Sequence, residues 1–175
     1  MAHRMMLTVL ISLSLLGGCS ENLGPITETN AKGEVVELVP AVIKGKKFYL
    51  ETALDQETRI LGLSHRENLD SDRGMVFIFP TAESRLFVMR DCLMPIDIIF
   101  LTDNLRVINT HAMQLDPRKP REPDMQYERR LKRYASIGKC SIVIELAGGR
   151  IEELGLKPGD TVSLPSLESL KEQVE

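Results

Sequence analysis

The sequence has no tryptophan, only 3 cysteines and few aromatic residues of any kind, Phe and Tyr together making 5% of its 175 residues. Three cysteines are too few for a disulfide framework or a cysteine-based zinc cluster. Neither sign of charge dominates: 22 Lys and Arg stand against 25 Asp and Glu, a net charge of −3, so the strongly basic footprint of a nucleic-acid binder is missing and no nucleic-acid partner is expected. No apolar run approaches the roughly 20 residues that a spanning helix needs. Also absent are a Gly-rich phosphate loop, a G-x-S-x-G elbow and a dinucleotide fingerprint. His65 and His111 lack the H-x-x-x-H type of spacing that places two ligands on one metal. No cofactor, metal or catalytic residue set is therefore read from the sequence. What is present is an ordinary globular composition, 43% hydrophobic and 27% charged, enough for one domain and an appendage.

The appendage is an address. Met1-Ala2-His3-Arg4 precedes an apolar run from Met5 to Leu16, followed by Gly17-Gly18-Cys19. A positive start, an apolar core of about a dozen residues and a small-residue end make a secretory signal. Leu16-Gly17-Gly18-Cys19 resembles the bacterial lipobox, which implies that the Cys19 thiol is diacylated and the chain cut before it. Several acyl chains hold a protein firmly at a bilayer, at roughly 0.8 kcal/mol per buried methylene. Residues 1–18 are thus expected to be a lipoprotein signal peptide and 19–32, polar with Gly24, Pro25 and Asn30, a lipidated tether. The expected location is the cell envelope, membrane-anchored and facing the periplasm or exterior.

From residue 33 to 165 the chain alternates short β-rich runs with brief helical ones. Glu34–Ile43 and Lys46–Leu54 flank Lys44-Gly45, a hairpin signal. Asp55 can cap a helix running to Ser64. Met75–Phe79 is a continuous apolar run, read as a strand buried on both faces. Leu86–Met89, Ile96–Leu101, Leu105–Met113, Ser141–Leu146 and Thr161–Leu164 complete about eight strands, with Asp103-Asn104 read as a two-residue hairpin connection. A helical turn is expected over Gly149–Leu154 and a C-terminal helix over 166–175. These elements predict a mainly β (α+β), small barrel- or sandwich-like domain. Between Asp116 and Lys139 eight basic residues face four acidic ones. The segment reads as a solvated excursion or, alternatively, as a patch from Arg118 to Arg133 that touches a polyanion.

Three blocks carry a family resemblance. They are Gly62-Leu63-Ser64-His65-Arg66 with Arg73-Gly74-Met75-Val76-Phe77-Ile78-Phe79, then Phe87 to Phe100 around Met94-Pro95-Ile96-Asp97, and finally Ile144-Glu145-Leu146-Ala147-Gly148-Gly149 with Gly155 and Gly159-Asp160. In this order they resemble domain-of-unknown-function family 192, a family of often exported proteins. The resemblance implies a small mainly β domain and no established activity. Ser64, Val88 and Cys92 depart from its pattern, which has Met, Trp and Thr there.

Asp97 and Glu145 each interrupt an apolar strand, and a buried carboxylate needs a partner. Arg66 or Arg90 can supply one, as structural ion pairs or as a polar cleft of Arg66, Arg90, Asp91, Asp97 and Glu145 that binds a small hydroxylated ligand or an envelope protein. Two carboxylates of different pKa also suit hydrolysis by Asp97 and Glu145. The leading expectation is a lipid-anchored, non-catalytic binding or assembly module; the alternatives are that hydrolase and a purely structural accessory domain. Cys92 and Cys140, both at strand boundaries in an exported protein, are expected to form a disulfide.

Overall fold

A computed structural model describes residues 24–29 and 35–175. The expected signal peptide and the lipidation site at Cys19 lie outside the described residues. Ten strands and four short helices are formed in the order β1 (Ile26–Thr29), β2 (Val35–Ile43), β3 (Lys46–Ala53), α1 (Gln56–Leu61), β4 (Arg73–Glu83), β5 (Leu86–Phe87), β6 (Ile96–Leu101), β7 (Val107–Met113), α2 (Asp124–Arg130), β8 (Tyr134–Ala135), β9 (Cys140–Ala147), α3 (Arg150–Leu154), β10 (Val162–Ser163) and α4 (Leu167–Lys171). The protein is mainly β, as its strand patterning predicts. Among the described residues no helix is long and apolar enough to cross a membrane.

Eight strands form one sheet in the order β1-β2-β3-β4-β9-β6-β7, with β10 pairing β2, while β5 and β8 make a separate pair. Local chemistry sets several of the joints. Lys44 and Gly45 both take positive φ, 51° and 79°, the primed turn that suits a two-residue hairpin. Asp55 caps α1 by accepting from the Thr58 peptide N–H at 2.9 Å. The chain through α1 lets β3 and β4 pair in parallel, which a tight turn cannot do. The joint at Asp103-Asn104 is longer than the expected two residues: Leu105 takes φ 60° and a bulge interrupts the β6–β7 register.

The central strands β4, β9 and β6 are apolar on both sides because the sheet is covered on both sides. Val76, Ile78, Ile144 and Ile99 face a layer closed by Leu154, Leu164, Leu167 and Leu170. Met75, Phe77, Val143 and Ile98 face the other layer, closed by Leu63, Met89, Met94 and Tyr134. Period-2 alternation makes a fully apolar run the consequence of this two-sided burial.

The sheet does not close into a barrel. Residues 159–163 act as a clasp instead: Val162 pairs with Ile43 of β2, and its N–H donates to Leu105 O at 2.9 Å, just ahead of β7. The isolated Arg106–Thr161 bridge lies beside it, with the Val107 N–H donating to Asp160 O and the Gly159 N–H to Val107 O, both at 2.8 Å. Within the stretch expected to be tether, Ile26–Thr29 is an edge strand in register with Val35–Leu38.

Two other expectations are corrected. The disulfide between Cys92 and Cys140 is not formed; both are free thiols buried in the same apolar layer. A position at a strand boundary does not aim two side chains at one another, and these two behave as small hydrophobes. Nor do Asp97 and Glu145 form a pair. Asp97 is opposite Leu146 and Glu145 opposite Ile98 in the β6–β9 ladder, so alternation sends their carboxylates to opposite faces of the sheet.

Candidate functional site

Glu145 lies in the middle of β9 on the Phe77 side of the sheet. Strand register aligns it with Glu51 of β3 and Ile98 of β6, through Met75 of β4. Gly74 permits this spacing, since a Cβ there would lie 2.4 Å from the Glu145 carbonyl oxygen. A second close approach covers the side chain. Gly62, at φ 51° and ψ −135°, places the loop after α1 over the carboxyl, 3.6 Å from Glu145 Oε2 to where a Cβ would be. A backbone conformation of this kind suits glycine alone.

Arg66 leaves that loop and grips Glu51 with two parallel bonds, Nη1 to Oε1 and Nη2 to Oε2, the latter 2.8 Å. Its charge also acts on Glu145. One guanidinium thus serves two carboxylates and is bonded to only one. Glu145 is 5% exposed and makes no hydrogen bond among the described residues. Burial pushes its pKa up to about 8, with Arg66 opposing the shift.

Above Glu145 opens a cavity of about 530 Å³. Phe77, Phe87, Val88 and Leu63 supply apolar wall, Ser64 and Cys92 lie to one side, and Arg59, Arg85 and Arg90 line it as well. Phe77 and Phe87 meet edge to face at 5.4 Å between centroids. The Ser64 hydroxyl and the Cys92 thiol both donate to the Arg90 carbonyl, at 2.9 and 3.5 Å. Burial, then the Glu145 carboxylate, push the Cys92 thiol to about 11, so it is no nucleophile at neutral pH. A second cavity adjoins across Gln56, Ile60, Leu61 and Ser64 and reaches His65 and Asp91.

The residues proposed from sequence separate into three groups. Glu145 forms the cavity floor, and Arg66 acts on it by charge from the loop after α1 without lining the cavity. Arg90 lines the cavity but is bonded to Glu128 of α2 through Nε and Nη2. Asp91, at φ 50°, forms the turn beside the second cavity, with Arg118 Nε 4.0 Å from its carboxylate. Asp97 is elsewhere: its carboxylate accepts the Ile151 N–H at 2.6 Å at the start of α3, and the neighbouring Gly149 and Arg150 amides favour its charged form. In the 116–133 segment Arg130 is paired with Asp116 and Glu122 and Arg118 with Asp124, while seven basic residues still outnumber four acidic ones. Glu51, Gly62 and Arg85 escape sequence reading as site residues. Glu51 sits in an alternating strand like any solvent-facing acid, and the glycine's role depends on a contact across the sheet.

Among the described residues no group of three or more His, Cys, Asp or Glu is placed to hold a metal ion. The family model DUF192, "Uncharacterized ACR", matches residues 39–164. A protein of unknown function from Novosphingobium aromaticivorans DSM 12444 has a solved structure similar to this chain, with a TM-score of 0.62 and 26% identity over 82% of this chain and 94% of that one. A candidate transcription regulator from Sinorhizobium meliloti 1021 shares the fold, at a TM-score of 0.55 and 21% identity over 80% of this chain and 92% of its own. No curated protein matches the sequence.

Proposed function

The chain belongs to the DUF192 family, and for this member we propose a non-catalytic binding module of the cell envelope, anchored by lipid at Cys19 and taking a small hydroxylated ligand over Glu145. The observation that carries the reading is the buried, unbonded Glu145 carboxyl at the floor of a cavity of about 530 Å³. The carboxyl has no protein partner among the described residues and faces the cavity, so a ligand hydroxyl can bond to it. A largely apolar concavity with a few convergent polar groups is the usual form of a small-molecule site.

Binding is favoured over hydrolysis because Asp97 and Glu145 face opposite sides of the sheet, and a hydrolytic pair must share one site. For the polyanion contact, Arg118 and Arg130 are already paired with acids, and Lys119, Arg121, Arg129, Lys132 and Arg133 remain to supply it. The anchor rests on the Leu16-Gly17-Gly18-Cys19 pattern.

A thermal-shift screen of polyols, sugars and hydroxy acids tests the site, run on the purified protein and on Glu145→Leu. Ligands that raise the wild-type melting temperature and leave the variant unmoved support the reading; a screen without any sends it to the structural alternative. Metabolic labelling with an alkyne palmitate tests the anchor, Cys19→Ser being expected to lose both label and membrane fraction.

A further inference from the structure

Arg59 and Arg85 converge on one aromatic ring. Their Cζ atoms lie 5.4 and 4.0 Å from the centroid of Phe79, and all three residues line the cavity above Glu145. Arg66 and Arg90 each hold a glutamate through two bonds, but neither Arg59 nor Arg85 has a side-chain carboxylate partner among the described residues. Arg59 is committed to main-chain oxygens, those of Leu54, Ile78 and Glu175, at 2.5, 3.0 and 2.8 Å. Arg85 donates through Nη2 to Thr81 O at 2.5 Å and its Nε is enclosed without an acceptor, while its Nη1 makes no hydrogen bond among the described residues. Arg85 has no acidic side chain paired to it among the described residues, and it leaves positive charge at the rim beside Arg59.

The floor and the mouth have different needs. Glu145 below holds an unbonded carboxyl. Ile60 and Leu86, 62% and 65% exposed, line the mouth of the same cavity. We infer that the ligand is a small carboxylate with an apolar body, its carboxylate seated on Arg85 beside Arg59 and its far polar end on Glu145. This rests on the reading of the cavity as a binding site and names the class of molecule it takes. A cationic ligand is opposed by the two guanidinium groups it must pass. A phosphate dianion finds too few donors, because Arg59 is spent and no lysine lines the cavity. Glu145 keeps its proton at neutral pH, so the floor adds no repulsion and can donate to a ligand hydroxyl or carbonyl.

Three probes that share one phenol ring separate these demands: 4-hydroxyphenylacetate, the neutral alcohol tyrosol and the amine tyramine. Their affinities are measured by calorimetry on the full-length protein in detergent. The carboxylate is expected to bind at least about tenfold tighter than the other two, the scale of a charge-assisted hydrogen bond, and Arg85→Gln is expected to abolish that preference. Should Arg85→Gln not fold, Arg85→Lys, which keeps the charge and lacks the planar guanidinium fork, is expected to weaken the carboxylate alone. Tyrosol or tyramine binding as tightly as the carboxylate overturns the inference and leaves the cavity reading standing. If none of the three binds, the carboxylate class is also overturned, and the cavity reading falls only if the hydroxylated-ligand screen is empty too.

Discussion

The hydroxyl oxygen of Tyr127 accepts a hydrogen bond from the peptide N–H of Asp91, 2.9 Å away. Tyr127 is the only buried side chain of α2, and it is wholly enclosed. This bond, with the Arg90–Glu128 pair, fastens α2 to the turn between β5 and β6. That turn also accepts from the loop over Glu145, His65 N–H to Asp91 O at 2.9 Å. The charged excursion therefore braces the frame of the cavity.

Tyr127→Phe keeps the ring and removes the acceptor, stranding the Asp91 N–H. The expected loss is about 1–3 kcal/mol, seen as a fall of a few degrees in the thermal midpoint at this chain length. An unchanged midpoint means that the turn holds without its brace.

Glu145 sets a pH dependence of defined sign. Its folded pKa, about 8, is above the ordinary carboxyl value of 4.5, so from about pH 4.5 to 8 the folded state holds a proton that the unfolded state has released. Stability associated with this group is complete below about pH 4.5 and declines as pH rises through 8. Glu145→Gln removes the titration. Melting curves of the two proteins from pH 5 to 9 are expected to diverge in favour of the variant, by up to a few kcal/mol. Parallel curves mean that Glu145 ionises in the fold as easily as in water.

Asp97 is the cap that α3 lacks in its own sequence. The helix begins after Gly149, which offers no side chain, and Asp97 reaches across from β6 to take the Ile151 N–H. Burial raises the carboxyl pKa, while these backbone N–H groups favour its charged form. Asp97→Ala strands the Ile151 donor and is expected to cost about 1–3 kcal/mol in urea unfolding; Asp97→Asn, which keeps an acceptor, is expected to cost less.

The two cysteines make a kinetic prediction. Burial raises both thiol pKa values, that of Cys92 to about 11, so thiolate is scarce and enclosed. Alkylation of the native protein without reductant is expected to be slow, and intact mass after denaturation to show both thiols labelled. Two unreactive sulfurs under denaturing, non-reducing conditions indicate a bridge.

Much of the fold is legible along the chain because it is encoded locally. The Met75–Phe79 run, the Lys44-Gly45 turn and the Asp55 cap each carry their own instruction. Facing is different. Alternation says that Asp97 and Glu145 each point to one side, but whether they share a side depends on Asp97 meeting Leu146 rather than Glu145, a pairing between strands about 50 residues apart. For the same reason Arg66 and Glu145 were recognisable as candidates while Glu51, which takes most of Arg66's bonding, was not. Cys92 and Cys140 failed similarly, since boundary positions carry no information on distance.

The edge strand β1 limits how far the domain can stand from a lipid anchor. With Ile26 already paired to Leu38, seven Cα steps separate Cys19 from the sheet, at most about 24 Å when fully extended; a tether running to residue 32 would have about doubled that span. On the proposed anchoring, the domain patrols a shallow shell above the headgroups, and β1 is the edge turned toward them. A ligand or protein it meets must itself come within that shell, so its encounters are a two-dimensional search along the membrane rather than a search of the surrounding volume.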